Sequence, residues 1–257
     1  MTSKKPLRLT VEQVIEYLRC PTYYDTLYNK QLVGRKEKSL NERLSEVANY
    51  FCTQLMNGTI VEPYDLKKRW DREKGLTPQE NLYGVDALTR MYKWAREQQL
   101  RVLDIASPFA LSLPGEKEHV ILIGKLGCIA YTKTGAIELL YFDFSKRLPD
   151  QALLDSNLRN TIDTFAFSRM YKEKLKGIRV RYVMKDKDYF TTRAKDDYER
   201  LARIVDNVGF SLRNKLFYPR ESVLCTGCDM KLFCRGWKPE KKKLNTALPE
   251  GVIKRAY

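Results

Sequence analysis

Three cysteines close together, Cys225-Thr-Gly-Cys228-Asp-Met-Lys-Leu-Phe-Cys234, carry the strongest chemical signal in the chain. Their spacing is C-x2-C-x5-C. Thiolates this near one another in a reducing compartment point to metal rather than to disulfides. Three are one short of a closed tetrahedral zinc or four-iron site. Cys20 is the best fourth ligand, because it stands at a helix end beside Pro21. Cys52 and Cys128 lie in apolar surroundings and read as small hydrophobic residues. Spacing leaves zinc and iron–sulfur open, since thiolates suit both. Ligands near both ends of the chain would tie the first helix to the last segment, so metal loss should loosen the whole fold.

Charge is the second signal. The 257 residues hold 47 Lys+Arg against 32 Asp+Glu, a net +15. An excess of this size favours a polyanion partner, nucleic acid above all, over a small metabolite. Apolar residues at 43% and charged residues at 31% describe a chain that folds without disulfide staples. No apolar run approaches the ~18 residues of a membrane span. The basic start MTSKKPLRLT lacks the apolar stretch of a signal peptide. The expectation is a cytoplasmic, reducing location and no membrane partner.

These groups must be positioned by the elements between them. Thr10 and Gln13 have capping-box spacing, and Val11, Val14, Ile15 and Leu18 follow at helical intervals up to Cys20-Pro21. A short helix is expected over 23–28, an amphipathic one over 37–57, a basic one over 64–75 and another over 79–100. Residues 101–146 read as adjacent antiparallel strands. Helical sequence follows over 151–174, a strand over 178–184 and a long helix over 194–215. Residues 237–257 form a basic tail whose Lys241, Lys242 and Lys243 are candidate phosphate contacts or simply a solvated face.

A helix ending in Cys-Pro, a central strand run, a long helix, then Phe217-Tyr218-Pro219 and the C-x2-C-x5-C frame together resemble the iron–sulfur branch of the PD-(D/E)XK nucleases. That branch includes the RecB- and AddB-like subunits of bacterial recombination complexes and the CRISPR-associated exonucleases. The resemblance covers residues 10–236. It implies one α/β domain over 1–236, a restriction-endonuclease-like mixed central sheet flanked by helices. It also implies N- and C-terminal segments joined by a 4Fe-4S cluster on Cys20, Cys225, Cys228 and Cys234, with zinc as the alternative.

Active members of that branch carry Gly-x-aliphatic-Asp on one strand and an acid, one residue, then Lys on a later one. Two carboxylates hold Mg²⁺, which activates water and neutralises developing charge, while the lysine stabilises the transition state. Here the first motif matches Gly124-Lys125-Leu126-Gly127, so glycine stands at the acid's position. The second matches Asp143-Phe144-Ser145, so serine stands at the lysine's. The expected histidine near 34–41 and the glutamine near 160–165 are missing, and the only histidine, His119, reads as ordinary. One remaining carboxylate holds Mg²⁺ weakly, so Mg²⁺ is not expected as a cofactor. Strand alternation sends Lys146 and Glu138 to the face away from Asp143. Lys125 is expected to fill the vacated place as a cation near Asp143, which would suit a phosphate.

The expected function is therefore an inactivated nuclease-like iron–sulfur protein. It would bind nucleic acid, through Lys125, Arg179, Arg181 and the tail lysines, or serve in a replication, recombination or transcription assembly. Tyrosines, sixteen in all, could supply stacking surfaces. Two alternatives stand beside it. One is an active Mg²⁺-dependent exonuclease whose acids have moved, with Asp104, Glu116 and Glu118 as candidates. The other is a protein-interaction module whose cluster is purely structural.

Overall fold

The computed structural model describes residues 5–34, 38–231, 234 and 252–254. In chain order the elements are β1 (Leu7–Thr10), α1 (Val11–Arg19), α2 (Pro21–Tyr24), a π-helical turn (Asp25–Asn29), β2 (Leu32–Gly34), α3 (Leu40–Met56), α4 (Pro63–Trp70) and α5 (Pro78–Glu97). Then come β3 (Arg101–Ile105), β4 (Pro108–Pro114), β5 (His119–Lys125), β6 (Cys128–Tyr131), β7 (Ile137–Asp143), α6 (Gln151–Asp155), α7 (Leu158–Met170), β8 (Leu175–Tyr182), β9 (Lys187–Thr191), α8 (Lys195–Arg213) and β10 (Val252–Lys254). The fold is mixed α/β. Among the described residues no helix is long and apolar enough to cross a membrane.

The chain divides into two compact units. The first takes residues 1–37, 110–123 and 202–257, and the second takes 38–109 and 124–201. The strand run is divided as well. β5 belongs to a three-stranded sheet ordered β1-β5-β4, while β3, β6 and β7 belong to a five-stranded sheet.

In the first unit β1 runs parallel to β5, with Leu7 opposite Val120 and Thr10 opposite Ile123. α1 begins where its capping box requires. The Gln13 N–H donates to Thr10 Oγ1 at 3.1 Å, and the Thr10 N–H donates to Gln13 Oε1 at 2.8 Å. It stops at Cys20, because the residue before a proline leaves the α region. Protein contacts hold this helix to the segment that precedes the cysteine cluster. Tyr17 Oη donates to the Leu216 carbonyl at 2.7 Å, and Arg220 Nη1 donates to the Leu18 carbonyl at 2.6 Å. The Thr22 N–H donates to the Tyr218 carbonyl at 3.2 Å, and the Tyr24 ring stacks on Phe217. β10 pairs antiparallel with β2, Val252 opposite Gly34. So residues 252–254 of the expected tail form a strand. Lys241, Lys242 and Lys243 lie outside the described residues.

The second unit has the sheet β3-β6-β7-β8-β9. Only the β7–β8 pair is parallel, and the crossover that a parallel pair needs is supplied by α6 and α7. Side chains alternate across the sheet. Leu140 and Phe142 face the core built by Leu44, Phe51, Trp70, Met91 and Trp94 of the helices α3 to α5. Tyr141 and Asp143 point the other way. α3 and α5 open on capping boxes, Ser39 with Glu42 and Thr77 with Glu80. Cys52 and Cys128 are buried in this core, as their surroundings predict.

Candidate functional site

The cysteine frame lies wholly in the first unit. Cys20 arrives at the end of α1, and Cys225 and Cys228 arrive on a 3-10 turn, Val223–Gly227, and the residue that caps it. Cys20, Cys225, Cys228 and Cys234 all line one cavity, with Arg19 and Lys231 in its wall. Among the described residues no three His, Cys, Asp or Glu side chains stand close enough to hold a metal, so the sulfurs share a wall without meeting at a point. Cys225 Sγ lies 3.8 Å from the Arg220 carbonyl, the geometry of a thiol donor. Burial pushes the Cys228 thiol above its ordinary value. Any metal bound here must therefore displace protons, and its affinity must rise with pH. An all-sulfur donor set with Arg19, Arg220 and Lys231 against the one acid Glu221 in the same wall fits a thiolate-bound group of net negative charge.

The residues compared above with the nuclease motifs, Gly124–Gly127 and Asp143–Ser145, lie in the second unit. Gly127 falls just past the end of β5, in the short link to β6. A Cβ on Gly127 would lie 2.6 Å from the nearest carbon of the Tyr141 ring. The space that a side chain at Gly127 would need is therefore filled by a phenol. Tyr141 Oη donates to Asp163 Oδ2 at 2.5 Å, and Arg159 Nε donates to the same carboxylate at 2.9 Å. Arg159 Nη2 also donates to the Lys125 carbonyl at 2.9 Å. Asp163 is fully buried, and burial followed by its negative charge pushes the Tyr141 phenol well above its ordinary range. Tyr141 therefore stays a neutral donor.

Asp143 ends β7 on the same face as Tyr141. Its Oδ1 accepts the Ser145 N–H at 2.7 Å. Its charge, after burial, helps to raise the Tyr83 phenol and contributes, again after burial, to pushing Tyr182 up to about 12. Among the described residues no group of three His, Cys, Asp or Glu side chains that could hold a metal forms around it. Asp104 accepts from Tyr171 at 2.6 Å, and the buried Glu118 pairs with Arg213 at 2.8 Å within the first unit. Glu116 lies in the turn between β4 and β5. His119 bonds Ser112 and is an ordinary strand residue.

Three expectations about cations need correcting. Lys125 is exposed and, among the described residues, forms no ion pair with Asp143; Arg159 is the cation packed at that strand end. Arg179 is not offered to a polyanion. It binds the buried Glu138 at 2.6 Å and Asp188 at 2.9 Å. Arg181 is 6% exposed, pairs with Asp186 and Asp188, and lies 5.4 Å from the Trp94 ring centre. Glu138 does fall opposite Asp143, as the strand alternation requires. Lys146 lies beyond the strand, where alternation no longer applies, with its ammonium 4.8 Å from the Tyr83 ring centre. The Tyr141–Asp163–Arg159 set was not anticipated. Its one sequence trace is the i, i+4 spacing of Arg159 and Asp163.

No protein-family model matches this chain, and no curated protein does. Among solved structures it is similar to the crystal structure of SSO0001, at 14% identity and a TM-score of 0.46, over 92% of this chain and 89% of that one.

Proposed function

We propose that this chain is a nuclease-like nucleic-acid-binding protein that has lost metal-dependent cleavage and carries a cysteine-bound cluster at Cys20, Cys225, Cys228 and Cys234. One observation carries the loss of cleavage: the Tyr141 ring, tethered to the buried Asp163, stands where the missing carboxylate of Gly127 would project. The cavity lined by all four cysteines supports the cluster reading. When bound, the group would cross-link the two ends of the first unit. The donors are four thiolates, and zinc remains the second choice by donor chemistry. The net +15 charge supports a polyanionic partner.

Anaerobic purification followed by iron, acid-labile sulfide and zinc determination tests the cluster. Gel shifts across a salt series test the partner. The reading expects about four irons per chain and polynucleotide affinity that falls steeply as salt rises. Zinc in place of iron rejects the iron–sulfur assignment, and no binding at low salt rejects the nucleic-acid one.

A further inference from the structure

A concavity of about 390 Å³ opens beside the end of β7, walled by Asn41, Gln79, Glu80, Tyr83, Ser145 and Lys146. Asn41 Oδ1 accepts the Phe144 N–H at 2.9 Å. That bond sets the amide orientation and leaves the two Nδ2 protons for another acceptor. The Lys146 ammonium stands 4.8 Å from the Tyr83 ring centre, and the ring is itself tethered by its hydroxyl to the Phe144 carbonyl at 2.5 Å. A cation held over a ring face keeps its charge and its outward donors. Among the described residues Lys146 has no acidic partner. The acid in the wall, Glu80, is already engaged. It accepts the Thr77 N–H and hydroxyl at 2.9 Å each, and these bonds hold it below its ordinary range. The nearby Asp143 accepts the Ser145 N–H. So the wall presents the unfilled Asn41 donors and the Lys146 charge, beside one ionised carboxylate, Glu80, whose acceptor oxygen is turned to Thr77.

We infer that this concavity seats one phosphate of a single-stranded polynucleotide, with Lys146 as the counter-charge and the Asn41 amide as a directional donor. Its volume suits a nucleotide-sized group, which a splayed single strand offers and a stacked duplex does not. The inference rests on the nucleic-acid reading above and gives it a location, replacing the arginines that the fold turns inward.

The full chain is titrated against a fluorescent oligothymidylate of about twelve residues over a salt series. In parallel, acetylation of Lys146 is followed by mass spectrometry with and without thymidine 3′,5′-bisphosphate. Lys146→Ala is expected to weaken oligonucleotide binding about tenfold at low salt and to lower the salt slope by about 1. Lys146→Arg should retain most affinity, and the melting temperature of Lys146→Ala should match wild type. The bisphosphate should slow acetylation of Lys146 selectively. If the oligonucleotide binds but Lys146→Ala behaves as wild type and acetylation is unprotected, the pocket assignment falls and the nucleic-acid reading stands. If the oligonucleotide fails to bind while the bisphosphate protects Lys146, the pocket stands and the polynucleotide reading falls. Failure of both removes both. Tighter binding of poly-glutamate than of the oligonucleotide would overturn the assignment in favour of an acidic protein partner.

Discussion

Adding one methyl group at Gly127 tests whether the vacated site is open or closed. In Gly127→Ala the new Cβ would lie 2.6, 2.8 and 2.9 Å from Cε1, Cζ and Oη of Tyr141. Unstrained carbon contacts lie at about 3.5–4.0 Å, so the ring must retreat by roughly 1 Å. It cannot retreat freely, because its hydroxyl holds Asp163 at 2.5 Å and Asp163 is fully buried. Overpacking of this kind costs about 1–3 kcal/mol, and loosening a bond to a buried carboxylate adds about 1–3 kcal/mol. Gly127→Ala should therefore destabilise the chain by roughly 2–6 kcal/mol. Urea unfolding gives the value, with an unchanged m-value as the check on two-state behaviour. The clash needs both side chains, so the double variant Gly127→Ala/Tyr141→Ala should be more stable than the two single losses sum to, with a coupling of about 1–3 kcal/mol. A Gly127→Ala variant within about 0.5 kcal/mol of wild type, the usual range for an unconstrained position, would refute the closed-site reasoning. The same geometry predicts that Gly127→Asp does not restore cleavage.

Four further outcomes follow from the fold. Arg179→Ala strips the buried Glu138 of its main partner and should cost about 3–5 kcal/mol, read by thermal unfolding, with nucleic-acid binding unchanged under native conditions. Gly84→Ala would place a Cβ 2.2 Å from the fully buried Trp70 ring and should cost about 1–3 kcal/mol. Asp104 is subject to burial, which raises its carboxyl, but bonds from Ser107, Tyr171 and the Ile105 N–H outweigh it and hold the group below its ordinary value. The folded chain thus binds this proton less readily than the unfolded one. Its contribution is full above the ordinary carboxylate range and drains as the pH falls below it, so the stability gap between wild type and Asp104→Asn should narrow from pH 7 to pH 3. The proposed cluster predicts that chelation speeds hydrogen exchange in α1 and in residues 216–231 more than in the five-stranded sheet, because all four cysteines belong to the first unit.

Local signals gave the local structure. The Thr10–Gln13 box and Pro21 bracket α1 within a residue, and the amphipathic pattern over 37–57 places α3. Pairing between distant strands was harder to read. The run over 101–146 looks like one meander because its strands are consecutive and apolar, yet β5 pairs with β1, more than a hundred residues earlier in the chain. Thiol spacing is a local pattern and Cys20 is marked by its helix end; the structure puts all four cysteines on one cavity, with no metal-holding group of three among the described residues. The arginines were misjudged because their acids, Glu138 and Asp188, sit on neighbouring strands and only the register brings them together. Tyr141 filling the place over Gly127 left no trace of its own, because an aromatic on a buried strand reads as core.

Cleavage is the most direct test of the account. Anaerobically purified, metal-replete chain is incubated with end-labelled single- and double-stranded DNA and RNA in Mg²⁺ or Mn²⁺, beside Asp143→Ala. The account predicts that the strands stay full length while the protein remains bound to them, and that the two proteins behave alike. Shortened products from the wild type that vanish in Asp143→Ala would contradict it.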